Sequence, residues 1–435
     1  MRLALRLCVI TLALLPCAVY FAGRQETSAQ TQPGNVIISE LRYRGPNGTR
    51  DEFVEIYNNT NSPITVQASD ASAGWGLSAS NGNITGTFCI IPNGTVIPPR
   101  GHFLCANTDP EFGSGYSLGG YPSGNPTPTP PITSAPSAVV IGPPFATAQP
   151  NRAYTLFDDI PDGFGVALFT TASTANQTLA RRLDAFGFTN SPALYREGTG
   201  FPTVPSTNNE HTIYRDLRAG RPKDTNNNAA DFRLVATTGS VQTQLNGAPG
   251  PENLASPTEL SGINSTLLDP TVSGASSPNR VRTMTPETNA PQGSIFIRRT
   301  FTNNTGAPVS RLRFRVADIT TRGTPASECG GAVCADLRAL TSPDGTATMN
   351  NQTVVVVRGV RLEENPPLTP EGGGLNSSLS ADFITLSQPL PNGSSVNIQF
   401  KLGVVRGGPF RFIVNIEAQN APPPIITGPA AATRR

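Results

Sequence analysis

Apolar residues along this chain come in short runs closed by glycine, proline and asparagine, and the longer runs alternate apolar with polar side chains. The clearest is Val396-Asn397-Ile398-Gln399-Phe400-Lys401-Leu402, whose period of two describes a strand with one buried and one wet face. Arg406-Gly407-Gly408-Pro409 then turns the chain into Phe410-Arg411-Phe412, which predicts a C-terminal hairpin. Residues 295–302, 309–319, 353–363, 382–387 and 410–418 are also strand-like, and together these segments predict a β-sandwich over 261–419. Near the start, residues 36–44 and 52–57 are rich in Val, Ile, Phe and Tyr. They flank Gly45-Pro46-Asn47-Gly48, so two strands joined by a turn are expected.

Three phrases, Ile38-Ser39-Glu40, residues 52–58 (EFVEIYN) and residues 74–82 (GWGLSASNG), resemble the opening of the lamin-tail domain. Residues 226–232 and 247–253 look like its closing strand and exit turn, and residues 154–170 and 181–188 like its inner strands. The resemblance covers about half the chain, over 35–257. It implies an immunoglobulin-like β-sandwich of the kind found in nuclear lamins and in secreted or surface proteins of bacteria. Such a fold names no ligand. The expected fold class is therefore all-β, two immunoglobulin-like β-sandwich domains at 35–257 and 261–419. Within the first of them lie residues 119–150, whose prolines cannot enter a sheet interior and predict an inserted surface loop. A Pro- and Ala-rich tail, 420–435, is expected to be disordered.

Composition agrees with many short strands: Gly 42 and Pro 42 make roughly 19% of 435 residues, below the ~25–30% of disordered chains. The formal charge of +2 gives no field that would draw the chain to nucleic acid or membrane. Arg2 and Arg6, the apolar run 7–22 and the small residues Thr27-Ser28-Ala29 form the pattern of a secretory signal peptide, residues 1–29. Export makes disulfides the expected state of Cys89, Cys105, Cys329 and Cys334. Pairing by neighbourhood gives Cys89–Cys105 and Cys329–Cys334, with a zinc site as the alternative.

Candidate chemistry is sparse. His102 and His211 have no cysteine, carboxylate or serine motif at a recognisable spacing, and no GxSxG, HExxH or P-loop pattern occurs. Asp224, Asn226, Asn228 and Asp231 alternate oxygen-bearing side chains as calcium loops do. The same run also suits a turn in which Asn and Asp bond the local backbone. Arg311, Arg313 and Arg315 alternate with Leu312, Phe314 and Val316, which puts three guanidiniums on one face. They are read either as an anion-binding row or as the solvated face of a strand. Glu40, Glu52 and Glu55 are read as structural, partnered by Arg42 and Arg44 on the neighbouring strand, and Trp75 as a core anchor.

The function expected is that of an exported non-catalytic surface or extracellular module, acting in adhesion, scaffolding or protein interaction. Its partner would be a protein or a cell-surface glycan, and no cofactor is expected unless calcium binds. A calcium-dependent or anionic-glycan-binding module is the alternative, and a hydrolase without recognisable motif the remote one.

Overall fold

The computed structural model describes residues 33–43, 52–83, 85–109, 114–115, 150–154, 160–203, 211–237, 244–259, 261–363 and 371–421. The expected signal peptide, the turn at 45–48, the proline-rich insert up to residue 149 and the tail beyond 421 lie outside them. The described residues belong to one compact unit that starts at Pro33. They are built mostly from strands in several sheets.

The expected first pair is present: β1 (Val36–Arg42) runs antiparallel to β2 (Phe53–Asn58), with Val36 opposite Asn58 and Arg42 opposite Phe53. Onward come β3 (Gly74–Ser80), β4 (Thr85–Pro92), β5 (His102–Asp109), β6 (Gly165–Phe169), β7 (Arg182–Phe186), β8 (His211–Arg215) and β9 (Phe232–Ala236). One sheet has the order β9-β8-β1-β2-β5, extended by short strands, and a second has β7-β6-β3-β4. Val36, Ile38, Val54 and Ile56 of the first face Trp75, Leu77, Val166 and Leu168 of the second in one apolar core. Trp75 is buried there and its indole N–H donates to Gln67 O at 2.8 Å. Cys89 on β4 and Cys105 on β5 form a disulfide, so the bond staples one sheet to the other. It closes a separation of 16 residues, a loop for which such a bond contributes about 3 kcal/mol.

The C-terminal part contains β10 (Ile263–Leu267), β11 (Arg280–Arg282), β12 (Ser294–Asn303), β13 (Val309–Ile319), β14 (Asp336–Leu340), β15 (Gly345–Thr348), β16 (Val354–Gly359), β17 (Arg361–Leu362), β18 (Ser378–Ser380), β19 (Ser395–Arg406) and β20 (Phe412–Asn420). One sheet runs β10-β12-β19-β16-β15, with β11 beside β12 and β14 beside β19. The other runs β17-β18-β13-β20. Phe301, Phe314 and Phe400 meet edge to face or tilted at the centre of their shared core. Cys329 and Cys334 form the second disulfide.

Two expectations for this part fail. The turn at 406–409 makes no hairpin, because β19 pairs with β12, β14 and β16 while β20 pairs with β13 in the opposite sheet. The Gly-Gly-Pro turn therefore carries the chain across the core rather than back along one sheet. Residues 382–387 form turns and bends, not a strand.

The core of the C-terminal sheets also takes in Tyr214 of β8 and Val235 of β9. Period two explains this: Ile213 points into the first core and Tyr214 to the other face of the same strand, and that face is covered. The outer face of the first sheet is thus packed, and it carries the chemistry described next.

Candidate functional site

Glu40 on β1 lies opposite both Tyr214 and Glu55, so these residues share the outer face of the first sheet, and β5 adds His102 opposite Tyr57. From the C-terminal sheets β13 brings Arg313 and Arg315, and β20 brings Glu417 opposite Arg313. The connecting segment 247–253 lies between and supplies Gly250 and Glu252. Glu40, Glu55, His102, Glu252, Arg313, Arg315 and Glu417 are all buried.

Glu252 is the hub. Its Oε2 accepts from Arg315 Nη2 at 2.8 Å and lies 3.1 Å from His102 Nε2, while Oε1 pairs with Arg313. Glu55 accepts from the Glu252 backbone N–H at 2.6 Å and lies 3.0 Å from His102 Nδ1. The ring is thus flanked by two carboxylates, and its two nitrogens can donate to both only when both carry protons. Glu417 accepts from Arg313 Nε at 2.6 Å and Arg315 Nε at 3.4 Å. Arg315 Nη1 donates to Gly250 O at 2.8 Å and to Asn376 O and Oδ1 at 3.2 Å. Glu40 closes the layer, accepting from Thr212 Oγ1 at 2.8 Å, Asn376 Nδ2 at 3.0 Å and Gly250 N at 3.1 Å.

Burial and the nearby Glu55 charge push Glu40 up to about 7. For Glu417 burial acts in the same direction, but the Arg313 and Arg315 guanidiniums outweigh it and hold the carboxyl below its ordinary value. Two carboxyls in one layer are thus driven apart by their neighbours, Glu40 toward the neutral acid and Glu417 toward the ion. A cavity of about 50 Å³ opens onto this layer between Tyr57, Arg100 and Glu259. It has room for water and is well short of the ~300 Å³ at which ligand pockets begin.

This placement corrects the sequence reading of the arginine row. Period two correctly separates Leu312, Phe314 and Val316, in the core, from the guanidiniums. The face that carries Arg313 and Arg315, however, is buried rather than solvated, and glutamates of the same chain pair with both guanidiniums. Of the three, Arg311 alone lacks a carboxylate within ion-pair distance among the described residues. Its Nη1 donates to Gln419 Oε1 at 3.3 Å and Ala255 O at 3.5 Å. Arg44 lies outside the described residues, and Glu40 and Glu55 turn to the partners above rather than to strand arginines. Glu52 accepts from Ile160 N at 3.1 Å and Asn107 Nδ2 at 3.3 Å.

The Asp/Asn run works as a structural turn. Asn226 adopts φ 56°, the left-handed conformation that Asn tolerates, and its N–H donates to Asp224 Oδ1 at 3.3 Å. Asn228 Oδ1 accepts from Glu197 N at 2.8 Å and Gly187 N at 3.0 Å, tying the turn to the segment that follows β7. Asp231 accepts from Thr225 N at 2.8 Å and Asn227 N at 3.2 Å. Asp224 does join Asp184 and Glu197 in a cluster whose oxygens lie within 4.8 Å of one another, the spacing of a cation site. The Arg215 guanidinium fills that position, 2.7 Å from Asp184, 3.4 Å from Asp224, 3.5 Å from Asp231 and 3.7 Å from Glu197. Burial and the facing Asp184 push Glu197 up to about 9.

Sequence reasoning missed His102, Glu252, Glu417, Asp184, Glu197 and Arg215. Most of them gain their partners from segments tens to hundreds of residues away. The one local signal was Arg215 itself, a charge at an apolar position of the run His-Thr-Ile-Tyr-Arg. A scan against protein-family models and searches of curated proteins and of solved structures give no match to the chain.

Proposed function

We propose that this chain is an exported, non-catalytic β-sandwich module that acts as a rigid scaffold in adhesion or protein interaction. Its two pairs of sheets, 35–257 and 261–419, are read as immunoglobulin-like sandwiches, the first of lamin-tail type. The observation that carries the reading is the ionic layer between them. Its histidine, glutamates and arginines are engaged with one another, and the space left, about 50 Å³, is too small for a substrate. Groups that would make acid–base chemistry elsewhere here join two sheets. The two disulfides fit an oxidising compartment, and among the described residues no helix is long and apolar enough to cross a membrane.

The test uses the secreted chain and its His102→Gln and Glu55→Gln variants. On this reading the wild type co-sediments with an envelope or matrix fraction of its host, and the variants, where folded, do so equally. Turnover of phosphoester, glycoside or peptide substrates that disappears in both variants would replace the scaffold with a hydrolase.

A further inference from the structure

The two C-terminal sheets part at one end, and the gap is a cavity of about 380 Å³, within the range of small-molecule sites. Its floor is core: Ile295, Leu337 and Val404, all of the β12-β19 sheet, with Phe410 across from them at the entry to β20. At the rim β11 reverses the usual alternation. Arg280 lies opposite Ile297 and Arg282 opposite Ile295, so both arginines take positions on the core-facing side while Val281 faces away.

These guanidiniums are fixed but not neutralised. Arg280 Nε donates to Ala275 O at 3.1 Å and its guanidinium stacks over the Phe410 ring, 5.7 Å from the centroid. Arg282 Nη1 donates to Thr283 O at 2.7 Å, and Nη2 donates to Gln292 O. Neither forms an ion pair among the described residues, and no acid lines the cavity. Arg406, beside the lining Gly407, likewise donates to a carbonyl, Cys334 O at 3.1 Å. Val333, whose carbonyl packs on the lining Gly408, stands 62% exposed next to the opening.

An apolar slot with an unneutralised cationic rim is complementary to one chemistry. We propose that this mouth binds an organic carboxylate with an apolar body. The chain or ring enters between the sheets over Leu337 and Val404, and the carboxylate pairs with Arg280 and Arg282. Arginine suits the second task because its planar fork meets a carboxylate through two hydrogen bonds. Inward charges on a short edge strand also discourage sheet-to-sheet association, and the experiment separates that role from binding.

Titration calorimetry of the full secreted chain with decanoate, 1-decanol and acetate reads the proposal directly. Decanoate is expected to bind saturably at one site, more weakly as salt rises, with acetate showing no saturation. Arg280→Gln/Arg282→Gln should weaken decanoate at least tenfold and leave 1-decanol unchanged. Ala335→Leu, which narrows the slot but keeps both charges, should weaken both ligands. The proposal is overturned if decanoate does not saturate, if acetate binds as well, or if the double variant binds decanoate normally and differs only in self-association.

Discussion

Strand β13 has two faces that are equally hidden from water and held by opposite physics. Leu312, Phe314 and Val316 are at most 2% exposed and meet the core of the C-terminal sheets, while Arg313 and Arg315, 3% exposed, meet glutamates from three separate segments. The apolar face is stabilised by area removed from water and by close packing. The charged face had to lose the hydration of two guanidiniums, and only paired carboxylates compensate for that. Periodicity tells which side chains share a face. Whether that face stays wet depends on what the rest of the chain brings against it.

Truncation separates the faces most sharply. Phe314→Ala removes a ring packed against Phe301 and Phe400 and should cost about 3–5 kcal/mol in urea denaturation, as large-to-small core changes do. Arg315→Met, similar in bulk, should still cost about 3 kcal/mol because Glu252 and Glu417 lose a buried partner. Replacing Arg313, Arg315, Glu252 and Glu417 together by Met and Leu should cost less than the single losses summed, since the four remove each other's partners and strand fewer buried charges than the single changes do. A quadruple variant as damaged as that sum would mean the ion pairs contribute net stability that packing cannot supply.

Acidity sharpens the comparison further, since only the charged regions titrate. A carboxyl whose folded pKa is raised contributes stability that is complete below its unfolded value, near 4.5, and lost as pH rises through the folded one. For Glu40 the loss runs from about pH 4.5 to 7, and for Glu197, beside Arg215, from about 4.5 to 9. Glu417, held low, works in reverse and loses its contribution only as pH falls below about 4.5. The urea midpoint should therefore decline from pH 5.5 to 8.5. Glu40→Gln should flatten the lower part of that decline and Glu197→Gln the whole of it. A midpoint that rises over this interval contradicts the account.

The smallest effect belongs to the end of the same row. Arg311 has no carboxylate within ion-pair distance among the described residues, and burial, opposed by the Glu363 charge, brings its guanidinium down to about 10. Arg311→Ser should cost about 1 kcal/mol, the middle of the range for single substitutions, because the side chain is half-buried and its removal strands no described carboxylate. A loss as large as that of Arg315→Met would show that all three arginines serve one layer.

Much of the architecture was legible locally. The β1–β2 pair and both disulfides follow from apolar alternation, turn residues and cysteine neighbourhood. Strands such as Gly345–Thr348 and Ser378–Ser380 were not legible, because their sequences are small and polar and they exist through pairing with longer neighbours. The crossing at 406–409 was misread since Gly-Gly-Pro fits a hairpin and a passage between sheets equally well. The ionic layer was invisible for another reason: His102, Glu252 and Arg315 carry no mutual spacing that a sequence pattern could hold.

The central claim is that this layer makes the two pairs of sheets one cooperative body, and differential scanning calorimetry of wild type and Glu252→Gln tests it most directly. The wild type should unfold in a single transition whose calorimetric and van't Hoff enthalpies agree, and Glu252→Gln should separate it into two. Two resolved transitions already in the wild type, or a single one left unshifted by Glu252→Gln, would contradict it.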